Sequence, residues 1–370
     1  MPHGILSFAE PPAQKAATVV NGRFLAKPNS GVSRVGVELL RALGEEIAET
    51  GLPLRLRVAT PPDAVLDASQ AAPALERSRG FASNLGVQLA LPFLYRGATV
   101  ISFCNETPLM AAGSVLWIHD TNIFDAPESY PRTYRLWHRL ILETAKRRGF
   151  EVATVSACAR ARLIAHGLLP AKIRVIYNGG DHILREAEDT RVLQNHGLQG
   201  KDFILVVGSP ARHKNVPFAI KSLLPLCSAK LQVAVLGMSQ VGPYAGTPSF
   251  AQDPRVTMLP RVTDGELRAL YRASRVVLSP SLYEGFGLYV AEAMFAESGP
   301  LVLSQCGALP EVAGDAALYF DPRDPVSLRG AVQRAMRPDT QRALTEAARS
   351  RRELFRWRRA ARQVLESYFS

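Results

Sequence analysis

Only four cysteines occur in the 370 residues, Cys104, Cys158, Cys227 and Cys306, scattered without metal-ligand spacing. That argues against a disulfide framework or a zinc module, and the four are expected to be reduced, mostly buried thiols. Long hydrophobic runs are also missing. The longest, such as Phe203 to Val207, are strand-sized, so no transmembrane helix is expected. The opening MPHGILSFAEPPAQK lacks the basic-then-apolar layout of a signal peptide, which predicts a cytoplasmic protein. No G-x-G-x-x-G string follows a strand, which argues against a dinucleotide-dependent oxidoreductase. Helix-turn-helix, zinc-finger and aromatic-basic RNA signatures are lacking too, so nucleic acid is not the expected partner. Acidic residues are the scarce charge, 33 against 44 Lys and Arg, leaving a net charge of +11 and a pI near 9.7. Partners should be anionic. Within 341–370, eight arginines face three glutamates, so +5 of the surplus lies in the tail.

What is present is an alternation of strand and helix patterns. Apolar residues make up 47% of a chain too long for one ordinary core, so two domains are expected. Lys15 to Phe24 reads as a first strand, followed by a loop through Gly31 and an amphipathic helix from Ser33 to Thr50. Further strands are expected at Leu54 to Thr60, Thr99 to Cys104, Ser114 to His119, Glu151 to Ser156 and Ile173 to Asn178, with loop and short helix between Pro61 and Phe81. Arg132 to Arg148 is a basic amphipathic helix with Tyr134, Trp137, Leu140 and Ile141 interleaved. At Asn178-Gly179-Gly180-Asp181 the pattern stops, and His182 to Lys201 is polar. The boundary is placed there, giving units 1–183 and 184–350. A second alternation follows, with strands at Phe203 to Val207, Leu231 to Leu236, Val256 to Leu259, Val276 to Leu278 and Leu301 to Ser304. The fold class is therefore α/β, with two largely parallel, Rossmann-like sheets.

The stretch Val276 to Val312 carries the most chemistry. Its apolar strand passes through Ser279-Pro280-Ser281 and Glu284-Gly285-Phe286-Gly287 into a helix from Leu288 to Ala296. A glycine turn entering a helix offers unpaired N–H groups and the positive dipole end to an anion. Glu284 and Glu292, with seven residues between them, would repel phosphate, but a carboxylate accepts two hydroxyls at once and suits the diols of sugars. Phosphate flanked by polyols describes a nucleotide diphosphate sugar, although such glutamates are ordinarily just solvated. Two cations, Arg212 and Lys214, follow a strand in Gly208 to Asn215 and could neutralise a diphosphate. His119 ends a strand, where open α/β sheets bind ligands.

Glu284-Gly285-Phe286-Gly287, Glu292-Ala293 and the later Gly307 to Ala317 resemble the Glu-x7-Glu signature of retaining glycosyltransferases of family 4, whose fold is GT-B. NGRF with GVSR, His119-Asp120 and Lys214-Asn215 match the same family, while Ser209 stands where many members carry an arginine. The resemblance implies transfer of a hexose from a nucleotide diphosphate sugar across a cleft between the two domains, without a metal cofactor. GDP-mannose is favoured by likeness to mannosyltransferases of bacterial surface polysaccharides; a rhamnosyl or glucosyl donor, or a non-catalytic sugar-nucleotide-binding protein, is the alternative. It also implies that Glu284 holds the transferred sugar, Glu292 the ribose, and the backbone near Arg261-Val262 the base. Gly31, Arg212, Lys214 and the amides of Phe286, Gly287 and Leu288 would face the diphosphate, with His119 near the reacting centre. Residues 351–370 are expected to return to the first domain. The acceptor is expected to be a saccharide, free or polyprenyl-diphosphate-linked, and the basic helix and tail an anionic membrane surface for peripheral docking.

Overall fold

The computed structural model describes residues 18–26, 30–54, 56–64, 75–81, 83–111, 113–238 and 249–369. The expected strand residues Lys15 to Ala17 and the loop residues Lys27 to Asn29 lie outside them. Two sheets are formed, and every described strand pair is parallel. The first contains β1 (Thr18–Asn21), β2 (Leu56–Thr60), β3 (Leu75–Arg79), β4 (Thr99–Ser102), β5 (Gly113–Ile118), β6 (Glu151–Thr154) and β7 (Ile173–Val175), in the order β3-β2-β1-β4-β5-β6-β7. The second contains β8 (Asp202–Val207), β9 (Leu231–Leu236), β10 (Val256–Leu259), β11 (Val276–Ser279), β12 (Leu301–Ser304) and β13 (Ala317–Phe320), in the order β10-β9-β8-β11-β12-β13. Continuous apolar strands such as β8 and β11 are buried on both faces, as parallel sheets between helices require.

The helices of the first unit are α1 (Gly31–Thr50), α2 (Leu91–Leu94), α3 (Asn122–Asp125), α4 (Arg132–Arg148) and α5 (Ala157–Ala165). Those that follow are α6 (Arg191–Asn195), α7 (Val216–Leu223), α8 (Asp264–Ala273), α9 (Leu288–Phe295), α10 (Leu309–Ala313), α11 (Pro325–Ala335), α12 (Pro338–Arg351) and α13 (Trp357–Tyr368). In each sheet the strand order reverses beside the first strand, at β1/β4 and at β8/β11. The crevice outside the carboxyl ends of such neighbours is where open α/β sheets hold ligands.

Several expectations need correction. Gly22 to Ala26 is a 3-10 turn, not strand, because a Cβ on Gly22 would stand 2.8 Å from the Ala59 carbonyl oxygen and the chain turns there against β2. Gly31 opens α1 instead of preceding it, since Ser30 is the N-cap and accepts from the Ser33 amide. β3 emerges where loop and short helix were expected; LERSR is polar because it is an edge strand, bonded only to β2. The cysteines are free but only partly buried.

The last helix packs on α1. Trp357, Ala361, Val364 and Leu365 are buried, and Arg358 and Arg362 place their Nε atoms 2.8 and 2.6 Å from the carboxylate of Glu46, which is 2% exposed. The turn between the sheets is pinned from two sides. A Cβ on Gly179 would lie 2.4 Å from the Trp357 amide nitrogen, and one on Gly180 would lie 2.5 Å from the Ala291 carbonyl carbon. No described helix is long and apolar enough to cross a membrane.

Candidate functional site: an anion-ready helix start beside paired Lys214 and Glu284

Helix α9 begins at Gly287, whose φ of 84° is open to glycine and strained for other residues. The amides of Phe286, Gly287 and Leu288 donate to no described acceptor, so the positive end of α9 is open. Gly285 lies against the first unit: a Cβ there would stand 2.0 Å from the His119 carbonyl oxygen, and the Ser156 hydroxyl donates to the Gly285 carbonyl at 2.6 Å. The glycine turn is thus a point of close approach between the two sheets' loops.

Glu284 is 7% exposed. Its Oε1 accepts from Lys214 Nζ at 2.7 Å, Ser281 Oγ at 2.7 Å and the Tyr289 hydroxyl at 3.3 Å, while Oε2 bonds to no described residue. A carboxylate offers about four acceptor positions, so one oxygen is held and the other remains for ligand hydroxyls. Lys214 arrives because β8 and β11 are neighbours, with Val276 opposite Ile204 and Leu278 opposite Val206, so the loops leaving their carboxyl ends meet. The left-handed Asn215, φ 54°, ends the 3-10 turn Arg212–Lys214, and its side chain donates to the Pro322 carbonyl. Arg212, on the same turn, is exposed and forms no ion pair with a described residue.

Glu292 is 8% exposed and clasped on both oxygens, by His182 Nε2 at 3.1 Å and the Tyr271 hydroxyl at 3.2 Å. Burial pulls its pKa up, but the His182 contact, the charge of Arg34 and the Tyr271 bond outweigh it and hold the carboxyl below its ordinary value. The Trp357 indole N–H donates to His182 Nδ1 at 3.0 Å, which makes Nδ1 the acceptor and leaves Nε2 to donate to Glu292.

His119 is buried, and its Nε2 is committed to the Phe103 carbonyl at 2.6 Å. Burial pushes its pKa down to about 4, so it is neutral near pH 7 and carries the Nε2 proton. Gly31 is exposed at the start of α1, with nothing within 4 Å of a Cβ placed there, and Val262 is partly buried between β10 and α8. The structure therefore brings Lys214, Glu284 and the α9 amides together, sets Glu292 on the same helix and places His119 against the glycine turn. Arg212 is exposed on the same turn as Lys214.

Sequence reasoning missed three participants. Asp120 is partly buried against the glycine turn, its Cβ 2.9 Å from where a Cβ on Gly285 would stand, and burial raises its carboxyl pKa. Glu311 joins the two units: its carboxylate accepts from the Ala157 and Cys158 amides at the start of α5, at 2.6 and 2.8 Å, and from the Tyr177 hydroxyl at 2.9 Å. Arg34, on α1, reaches Asp264 on α8 at 2.5 Å. Each had left a trace in the sequence without being assigned a role: Asp120 as the neighbour of His119, Glu311 within Gly307 to Ala317 and Arg34 as the last residue of GVSR.

Residues 201–337, which hold Lys214, Glu284 and Glu292, match the family described as glycosyl transferases group 1. O-antigen chain mannosyltransferase B of Escherichia coli is 28% identical over 267 residues, covering 69% of this chain and 70% of that protein. O-antigen chain mannosyltransferase RfbU of Salmonella typhimurium is 24% identical over 336 residues, covering 85% and 90%. Among solved structures, HepE of Anabaena, in complex with UDP and glucose, superposes with a TM-score of 0.73 at 17% identity over 95% of this chain and 98% of that one. WaaG, a glycosyltransferase involved in lipopolysaccharide biosynthesis, does so with a TM-score of 0.68 at 16% identity over 96% and 100%.

Proposed function

We propose that this glycosyltransferase of the GT-B fold moves a mannosyl residue from GDP-mannose, with retention of the α-configuration and without a metal ion, to a hydroxyl of a glycan or lipid-linked saccharide in polysaccharide assembly. The observation that carries the reading is the contact between Lys214 and Glu284 beside the open start of α9: one cation and three amides for a diphosphate, one free carboxylate oxygen for a sugar hydroxyl. The likeness to two O-antigen mannosyltransferases supports the sugar.

When the bond between the anomeric carbon and the phosphate oxygen breaks, negative charge gathers on the leaving diphosphate. Lys214 and the amides of Phe286, Gly287 and Leu288 stabilise it there, and their worth rises with the charge. The acceptor oxygen bonds to the anomeric carbon, and its proton passes to the leaving phosphate. Glu284 Oε2 orients the hexose and Glu292 the ribose, both as acceptors. His119 acts by position, through its carbonyl against Gly285, because its Nε2 is committed to Phe103.

The acceptor side is proposed to meet an anionic lipid surface. On α4, Ile141, Leu142 and Ala145 pack inward, while Leu136 and Leu140 are 67% and 49% exposed between the exposed Arg132, Arg139 and Arg147. Apolar residues ringed by arginines suit an anionic bilayer. The tail contributes less than its surplus of +5 implies. Arg349 and Arg352 pair with Glu297, Arg356 with Glu353, and Arg358 and Arg362 with Glu46.

A panel of GDP- and UDP-sugars, followed for slow donor hydrolysis with and without EDTA, tests the donor. GDP-mannose should be consumed fastest and EDTA should change nothing. Preference for a UDP-sugar would overturn the donor assignment, and loss of activity in EDTA restored by manganese would overturn the metal-free mechanism.

A further inference from the structure

A cavity of 170 Å³ opens at the carboxyl ends of β4 and β5, between α3, α4 and the start of α1. It is separate from the Lys214–Glu284 pair and shares no residue with it. Its floor is apolar, with Ile118, Ile123 and Leu142, and its rim carries Tyr130 and Tyr134, whose rings stack at 5.9 Å and 14°. Three polar side chains reach it: Asn105, Asp120 and His138. His138 is the informative one. It is 8% exposed, and its Nε2 has no hydrogen-bond partner among the described residues, although the ring leans on Tyr134 at 4.4 Å. A buried ring nitrogen left without a partner is costly to a folded chain, and a polar ligand in the cavity would satisfy it.

The lining also selects a chemistry. Stacked aromatic faces beside a carboxylate and an imidazole suit a ring with one apolar face and several hydroxyls. The volume is slightly above the ~150 Å³ that admits a six-membered aromatic ring in an engineered cavity. Among the described residues no lysine or arginine lines it, and Asp120 does, so acidic sugars and phosphates are disfavoured. Asp120 supplies direction, since its Cβ would lie 2.9 Å from a Cβ on Gly285, the residue after Glu284. A ring held here would present an edge toward the site of transfer.

We propose that this cavity is the subsite for the terminal sugar of the acceptor and takes a neutral pyranose, with its apolar face on Tyr134 and its hydroxyls bonded to Asp120 and His138. The assignment of that sugar as acceptor rests on the glycosyltransfer proposed above; its binding does not require the donor.

Saturation-transfer NMR on the full chain, with methyl α-pyranosides of mannose, glucose, galactose, rhamnose and N-acetylglucosamine and with methyl glucuronoside, tests binding without donor. At least one neutral glycoside should bind and the glucuronoside should not. Tyr134→Ala, at a half-exposed position, and His138→Gln, which keeps the polarity, should each weaken binding at least tenfold. Acceptor-independent hydrolysis of GDP-mannose should stay within twofold of wild type in both variants. Failure of every neutral glycoside to bind the wild-type protein, or undiminished binding in both folded variants, overturns the subsite. Sugar binding that follows these variants while GDP-mannose is not consumed would instead count against the donor reading alone.

Discussion

Lys214 spends one ammonium hydrogen on Glu284 and keeps two for a ligand, so it can hold the carboxylate proposed to bind the sugar and a phosphate together. Lys214→Ala removes the charge-assisted contact but leaves Ser281 and Tyr289 donating to Glu284. Turnover should fall on the order of 10²–10³-fold, the scale of a lost oxyanion donor, with a melting temperature within a few degrees of wild type. Steady-state rates and a thermal melt check this; a wild-type rate removes Lys214 from the site. The two glutamates should separate kinetically. Glu292→Gln disturbs a group proposed to bind the nucleoside and should raise the apparent donor constant about tenfold, whereas Glu284→Gln should chiefly lower kcat. Identical effects from both would contradict the division. Both glutamates were legible from spacing, because a helix start and two carboxylates are local features. Their partners were not: His182, Tyr271 and Lys214 lie 110, 21 and 70 residues away from the carboxylates they bond.

At the scale of elements, α13 does more than close the core. Trp357 fills a buried position against Gly179 and donates to His182, which in turn donates to Glu292, so the tail helix orients a carboxylate of the second unit. Trp357→Phe keeps an aromatic ring and removes the N–H. His182 Nδ1 then loses its donor and the ring is held less firmly against Glu292, so the apparent donor constant should rise several-fold with kcat nearly unchanged. Wild-type kinetics in this variant would make Trp357 a packing residue only. The helical register of Trp357, Ala361 and Leu365 was readable, since amphipathic spacing reports burial. That the helix lies on α1 depends on Glu46, whose buried carboxylate looks in the sequence like any other surface glutamate.

For the whole molecule, charge and burial make two predictions. His119 and His138 are both pushed down to about 4 by burial. Between pH 6.5 and 4 the unfolded chain binds protons there that the folded chain refuses, so stability present above pH 6.5 is lost as pH falls through that window, by up to about 1.4 kcal/mol per pH unit for each histidine. Urea midpoints at pH 7 and 5 should differ accordingly, and His138→Gln should reduce the slope; an unchanged slope would show that His138 does not contribute. The second concerns α4. The chain should sediment with vesicles rich in anionic lipid at low salt, be released by salt, and ignore neutral vesicles, with Leu136→Ser/Leu140→Ser weakening the binding. Equal binding to both vesicle types, or to neither, would leave the basic surplus to the nucleotide sugar.

The sequence by itself determined the alternation of buried strands and amphipathic helices, the glycine turn before α9 and the carboxylates around it, because each of these is a matter of neighbouring residues and their period. It also determined the overall basic charge. Only the tertiary structure decided where that charge is spent: Arg358 and Arg362 on Glu46, Arg349 and Arg352 on Glu297, and the arginines of α4 largely in solvent. It also decided that Glu311 caps α5 across the cleft, that His119 bonds its own sheet, and that Asp120 and His138 share a cavity. Periodicity records whether a side chain is buried. Which partner it meets depends on strand order and helix docking, which bring together residues tens to hundreds of positions apart.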